Sequence, residues 1–190
     1  AYHKEEGSGN DRIKNSQNMK SIYVEQSLDF ADQFFNTVGI RYDKNSIFGS
    51  KTTYRLTSRY NINEMLAVKG SFGTGFTTPT LYQIYINGDM NNGLKAETSR
   101  GYDLGVEFKP TSLSMIGLSY FHTTYKNMID FYSYPNAYQA PWGEYRNLDR
   151  AKIKGFELAG SVKLNDQWAL SGSYTYLDAK EKKADGEYTK

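Results

Sequence analysis

Apolar and polar residues alternate along most of this chain with a period of two, which is the signature of β-strands with two unlike faces. The clearest run is Gly101 to Lys109. There Tyr102, Leu104, Val106 and Phe108 share one face, and Gly101, Asp103, Gly105, Glu107 and Lys109 share the other. From Ser21 onward the same rhythm predicts about eight strands, each roughly 9–12 residues long, the length a tilted barrel strand needs. They are expected at 21–31, 36–44, 52–61, 65–75, around Leu104, 114–126, 151–164 and 168–179. Residues 1–19 are polar and turn-rich and read as a loop. No helix of convincing length is expected.

The spacing between these strands alternates. The segments 32–35, 62–64, 110–113 and 165–167 read as tight turns, with Asn61, Asn63, Asn165 and Asp166 supplying turn chemistry. The segments 44–51, 77–98 and 127–149 read as longer connections. Short turns at one end and long loops at the other is the layout of an outer-membrane barrel. A soluble β-sandwich also alternates, with its apolar face inward, so parity alone does not say which face is outside. Three features lean toward the membrane. Tyrosines such as Tyr42, Tyr54, Tyr60, Tyr102, Tyr120 and Tyr176 fall near strand ends, as an interfacial girdle requires. The apolar faces carry no charge in the strand centres. The connections are unequal in length.

Composition sharpens this picture in few places. Among 190 residues there are 17 Tyr, 10 Phe and 17 Gly, a usage that suits half-buried strands. The net charge of +2 is scattered and gives no footprint for nucleic acid. There is no cysteine, which excludes disulfides and thiolate metal sites. The mean hydropathy of −0.69 leaves no room for helical membrane spans but is compatible with a barrel, whose strands are half apolar. The first residues lack the apolar segment of a signal peptide, and position 1 is Ala rather than Met, so a piece of a longer chain is expected.

Residues able to carry chemistry are sparse. His3 and His122 offer no metal spacing, and no Ser/His/Asp set is evident. The glycines of Gly70 to Gly75 precede no expected helix, so a nucleotide loop is not expected there. Glu97, Asp103 and Glu107 read as a solvated polar face. Arg55, Arg59 and Lys69 share that face and are expected to pair with acidic groups on another domain. The long connections hold the remaining candidates. Tyr82, Tyr85 and Asn87 lie in one, and Tyr132, Tyr134, Tyr138, Trp142 and Tyr145 in another. Rings supply stacking area and amides supply hydrogen bonds, which suits a bulky polar ligand; the alternative is that the rings only pack the loops. No cofactor is expected.

Several stretches resemble one family. Phe76-Thr77-Thr78-Pro79 resembles the aromatic-x-x-Pro corner that ends a barrel strand in TonB-dependent outer-membrane receptors. Asn91 to Thr98 is similar to the family's NP-L-PE-S/T stretch, although Gly93 and Ala96 depart from it. Tyr102 to Glu107 resembles the following strand. Asn147 to Glu157 is similar to N-x-x-x-A-x-I-x-G-x-E, and Tyr174 to Ala179 to Y-x-Y-x-D-A. Order and spacing both fit from Thr52 to Lys180.

The resemblance implies an all-β fold: about eight antiparallel transmembrane strands of a larger barrel, of the kind with about 22 strands closed around a plug. Residues 1–190 would then be a partial barrel domain, without plug or closing strands. The implied function is energised uptake of a scarce nutrient, an iron–siderophore or cobalamin-like ligand, across the outer membrane of a Gram-negative bacterium. The implied partners are the inner-membrane protein TonB acting through the plug, the ligand, membrane lipid, and colicins or phage. The implied activity is not enzymatic. A heme receptor would be expected to place a His between Pro79 and Leu94, and none is there. A passive porin or adhesin-like barrel is the alternative function.

Overall fold

The computed structural model describes residues 2–9, 13–86, 93–134, 143–182 and 188–189. They form a single ten-stranded sheet in strict sequence order, every neighbouring pair antiparallel. The strands are β1 (Tyr2–Gly9), β2 (Ile13–Phe30), β3 (Phe34–Asn45), β4 (Gly49–Asn61) and β5 (Leu66–Thr77). After a short helix, α1 (Leu81–Ile86), come β6 (Glu97–Thr111), β7 (Ser114–Ser133), β8 (Gly143–Lys163), β9 (Ala169–Lys182) and β10 (Tyr188–Thr189). Strands β2 to β9 are the eight expected from the alternation.

The connections at one end are tight because side chains close them. Asn63 Oδ1 accepts from the Met65 and Leu66 amides at 2.8 Å each. Asn165 Oδ1 does the same for Gln167 and Trp168 at 2.9 Å. Between β2 and β3 a three-residue connection, 31–33, turns on Ala31 and Asp32, both at positive φ, 52° and 53°, and the Gln33 amide donates back to the Phe30 carbonyl at 3.2 Å. Asn61 plays another part: its Oδ1 accepts from Arg59 Nε at 2.9 Å.

Three sequence expectations about loops need correction. Residues 1–19 are not a loop: β1 pairs with β2 from Tyr2↔Lys20 to Gly9↔Ile13. The 44–51 connection is short, because β3 runs to Asn45 and β4 restarts at Gly49. Asn45 Oδ1 closes it by accepting from the Ile47 and Phe48 amides at 2.8 and 3.0 Å. The 127–149 connection is mostly strand, since β7 reaches Ser133 and β8 begins at Gly143. All three strand extensions are held by ladder pairing, and polar residues such as Gln17 and Asn45 take buried positions in them, so they show no apolar alternation. The 77–98 connection also holds α1, short enough to agree with the expectation that no helix of convincing length forms. Its six residues carry a capping box: Thr80 Oγ1 accepts from the Gln83 amide at 3.2 Å, and Gln83 Oε1 accepts from the Thr80 amide at 2.9 Å.

The apolar face is the outside. Leu104 is 60% exposed and Val24 63% exposed, whereas among the described residues the buried apolar side chains are few, Ala67, Pro79, Leu81, Ile84 and Ala151. No second sheet covers either face among the described residues, so the sandwich alternative fails. An apolar band this large and continuous marks a surface that meets lipid or another protein. Rings line it at both margins, with Phe30 stacked near Phe34, Phe34 against Tyr60, and Tyr102 beside Tyr120 and His122.

The polar face is the inside of a curl. Helix α1 touches β1, β2 and also β8, at nearly opposite ends of the strand order. In a flat sheet β2 and β8 would stand roughly 29 Å apart at about 4.8 Å per strand. One six-residue helix reaches both only because the sheet bends around it. Across this inner face Arg59 Nη2 meets Glu107 Oε1 at 2.7 Å, with a second hydrogen bond from Nη1 to Oε2 at 3.2 Å. Lys109 approaches the same carboxylate at 3.6 Å. Arg59 therefore has its partner two strands away within this sheet rather than on another domain. Lys69 adds its charge to the surroundings of the same Glu107 carboxylate. Glu97 and Asp103 are also engaged: Glu97 Oε1 accepts from the Ile129 amide at 2.7 Å, and Asp103 from the Ser71 hydroxyl.

The bidentate Arg59–Glu107 pair ties β4 to β6 over β5. A double-mutant cycle with Arg59→Gln and Glu107→Gln is expected to give a coupling of about 1 kcal/mol in urea unfolding, shrinking as salt rises. Strict additivity of the two substitutions would contradict the pairing.

Candidate binding site at the mouth of the sheet

The site forms where the β5–β6 connection folds back over the inner face. Phe76 to Pro79 turn the chain inward. The Thr78 hydroxyl accepts from Gln17 Nε2 at 2.9 Å and from Asn45 Nδ2 at 3.5 Å, which fastens the corner to β2 and β3. Pro79 and Ile84 are fully buried, and Leu81 is buried beside them. The capped turn of α1 then has one face packed against the sheet and the other free. Tyr82 and Tyr85 occupy the free face, 62% and 51% exposed.

The returning limb of the same connection is pinned to β8. Asn147 Oδ1 accepts from the Lys95 amide at 2.8 Å, and Asn147 Nδ2 donates to the Lys95 carbonyl at 2.9 Å and the Asn127 carbonyl at 2.7 Å. Asn127 holds a φ of 55°, a conformation asparagine tolerates better than most residues. Thus two stretches far apart in sequence, one around Lys95 and one starting at Asn147, are locked together by a single amide side chain.

Aromatic rings gather on this framework. Tyr82 of α1 meets Tyr145 of β8 edge-on at 6.4 Å, and Tyr145 meets Phe131 of β7 at 5.1 Å. These three rings bridge the helix and the tall β7–β8 hairpin. Phe131 and Tyr145 are directly paired across the hairpin and share the odd, inward parity.

Tyr132 and Tyr134 have the opposite parity. Their rings meet at 5.9 Å, and the guanidinium carbon of Arg146 lies 4.4 Å over the Tyr132 ring. Glu144, paired with Tyr132, forms an ion pair with Arg146. The guanidinium's hydrogen bond to that carboxylate is the largest cause that raises the already high pKa of Arg146. The aromatics expected in the two connections therefore regroup into two clusters that do not follow the connections, with Tyr132 and Tyr145 on opposite faces of one hairpin. Tyr82 and Tyr145 belong together, and Tyr132 and Tyr134 belong together. Tyr85 makes no ring contact with either cluster among the described residues. Asn87, Tyr138 and Trp142 lie outside the described residues.

Sequence reading missed Phe131, Asn147 and the clamp on Lys95. Parity would have separated Tyr132 from Tyr145 had the strands been extended far enough. Among the described residues no group of three His, Cys, Asp or Glu gathers to hold a metal. His122 stacks on Tyr102 at 5.4 Å and shares a hydrogen bond with Thr124 Oγ1 at 3.2 Å, a structural placement. The arrangement can grip a ring-rich molecule by stacking and by hydrogen bonds.

Known proteins share this architecture. The family model described as TonB dependent receptor-like, beta-barrel, matches residues 3–190. The iron-regulated outer membrane virulence protein of Vibrio cholerae serotype O1 is 30% identical over 177 residues, covering 84% of this chain and 27% of that protein. The vitamin B12 transporter BtuB of Photobacterium profundum is 29% identical over 182 residues, covering 94% of this chain and 29% of that protein. Among solved structures, the siderophore receptor PirA from Pseudomonas aeruginosa superposes with a TM-score of 0.78 at 25% identity, covering 88% of this chain and 35% of that one. The chain spans less than a third of the length of the two relatives it matches.

Proposed function

The chain belongs to the TonB-dependent receptor β-barrel family, and from that premise we propose that it is an arc of an outer-membrane receptor for energised uptake of a scarce, ring-rich nutrient chelate. It is not an enzyme; the proteins it resembles are receptors and transporters. In this reading the ten strands belong to a barrel of about 22 strands. A plug fills that barrel, and TonB, pulling from the inner membrane, opens it. The setting is the outer membrane of a Gram-negative bacterium, in keeping with the relatives named as outer-membrane proteins.

An iron–siderophore is the leading ligand class, and the observation that carries it is the Tyr82–Tyr145–Phe131 cluster at the mouth. Flat aromatic ligand arms stack on such rings. A cobalamin-like ligand is the second reading, favoured by the length of the match to the vitamin B12 transporter, which covers 94% of this chain.

Tyr82→Ala and Tyr145→Ala in the complete receptor are each expected to weaken ligand binding by about 1–3 kcal/mol while the barrel still assembles. Ser173→Ala, on the inner face of β9, should leave binding unchanged. The measurement is equilibrium binding of a ferric catecholate and, separately, of cyanocobalamin. Parental affinity of both variants for both ligands would mean that the rings only pack one another.

A further inference from the structure

Three buried polar side chains meet where the chain turns inward after β5. Gln17 of β2 is 6% exposed, Asn45 of β3 is 3% exposed, and Thr78 of the corner is 8% exposed. The Thr78 hydroxyl accepts from Gln17 Nε2 at 2.9 Å, across 61 positions of sequence, and from Asn45 Nδ2 at the longer 3.5 Å. Asn45 has a second task, because its Oδ1 closes the β3–β4 turn on the Ile47 and Phe48 amides. Gln17 differs. Its Oε1 is buried and has no hydrogen-bond partner among the described residues. A buried acceptor without a donor destabilises a fold. Gln17 is therefore a poor choice for holding the sheet together, and its amide donor is spent on the corner.

From Thr78 to Tyr82 the chain has little freedom. Pro79 fixes its own φ and restricts the residue before it. Thr78 is β-branched and stiff at χ1, so a held hydroxyl also holds the Thr78 backbone. Thr80 is locked to Gln83 by the capping box, with bonds of 2.9 and 3.2 Å. Leu81 is buried, and Tyr82 follows on the free face of α1. A displacement of the Thr78 hydroxyl thus passes through Pro79, Thr80 and Leu81 to the Tyr82 ring, which stands edge-on to Tyr145 at 6.4 Å.

We propose that Gln17 is a positioning residue for the aromatic grip: its bond to Thr78 fixes the stance of Tyr82 toward Tyr145 without contact to the ligand. The inference rests on the reading of Tyr82 and Tyr145 as ligand-binding rings. It gives the aromatic-x-x-Pro corner a task, that of a stiff link between a strand of the wall and a ring at the mouth. It also accounts for the orphaned Oε1, since the side chain is placed for its donor and not for its acceptor.

The test uses the complete receptor in lipid vesicles, with a ferric catecholate and cyanocobalamin as probes. Gln17→Met keeps the length and bulk of the side chain and removes both the bond to Thr78 and the orphaned carbonyl. It should weaken binding roughly tenfold, as expected for a site whose supporting residue is lost, while urea unfolding stays close to that of the parent. In a Tyr82→Ala background it should have no further effect on affinity, because its route runs through that ring. Thr78→Val, which removes the accepting hydroxyl, should reproduce the loss, and the two together should lose no more than either alone. Asn36→Leu removes another buried amide of β3, one that bonds the Leu28 carbonyl and Ser58 instead, and should leave affinity unchanged. Spin labels at the exposed positions 51 and 85 read the placement of α1 without ligand. The parent should give one narrow distance and Gln17→Met a broadened distribution. A parental affinity or a parental distance distribution in Gln17→Met would overturn the proposal. So would an affinity loss that persists in full beside Tyr82→Ala, or one accompanied by an equal loss of stability, since either makes Gln17 a packing group only. If Tyr82→Ala weakens binding and Gln17→Met does not, this inference alone fails. If Tyr82→Ala itself binds both probes as the parent does, the aromatic-grip reading fails with it.

Discussion

Replacing Leu104 by arginine is expected to cost the barrel about 2–4 kcal/mol, the penalty for a cation on the lipid face near the midplane. Leu104 lies in the middle of β6, between Gly70 of β5 and Tyr120 of β7, and points out of the sheet with most of its surface uncovered. In a protein that lived in water, an exposed leucine could accept arginine at almost no cost. The same substitution therefore separates the two environments by its sign and size. Its neighbour Asp103 faces inward, so a polar replacement there should be tolerated far better. Urea unfolding in lipid vesicles measures both. A Leu104→Arg variant as stable as its parent would contradict the outward placement of the apolar band.

The second large effect should come from adding one carbon. Gly155 of β8 is buried on the inner face, opposite Phe121 of β7 and Leu177 of β9. A Cβ there would collide with the carbonyl oxygen of Tyr176 and stand 2.8 Å from Cζ of Phe121. The carbonyl is backbone and belongs to the β8–β9 ladder, so it cannot move without breaking that pairing. The Phe121 ring lies over the glycine and fills the space a side chain would need. Gly155→Ala is expected to destabilise the barrel by about 1–3 kcal/mol or to open the ladder locally. Gly172→Ala is the control, because a Cβ at that position meets nothing within 4 Å. Equal stability of the two variants would contradict the geometry.

Gly155 also shows what sequence could and could not reveal. The tract from Asn147 to Glu157 could be matched to a family pattern, but not explained. The structure supplies the reasons: Asn147 clamps Lys95, Ala151 is buried, and Gly155 yields its space to Phe121. The alternation of β6 and the asparagine turns at Asn63 and Asn165 were legible because each is a local rule. Strand β1 and the tall ends of β7 and β8 were not, because polar and aromatic residues there fall on both parities, as Tyr132 and Tyr145 do, and leave no period of two to read. Helix α1 was missed for its length, although Thr80 and Gln83 stood at capping-box spacing. The Arg59–Glu107 pair was invisible because it joins strands two apart, a distance fixed only by the register of β4, β5 and β6. The aromatic site was half legible. Residue type pointed to Tyr82 and Tyr145, but only the extended hairpin places Tyr132 and Tyr134 on the other face.

The central claim is that even positions face lipid and odd positions face the lumen of a receptor barrel. The segment contains no cysteine, so single cysteines can be introduced along it and spin-labelled in the complete receptor in lipid vesicles. Accessibility to oxygen, which concentrates in the bilayer, and to a water-soluble nickel complex would be read at 103 to 107. The account predicts strict alternation, with oxygen dominating at 104 and 106 and nickel at 103, 105 and 107. Nickel access at 104 and 106, or oxygen dominating at 103, 105 and 107, would contradict it.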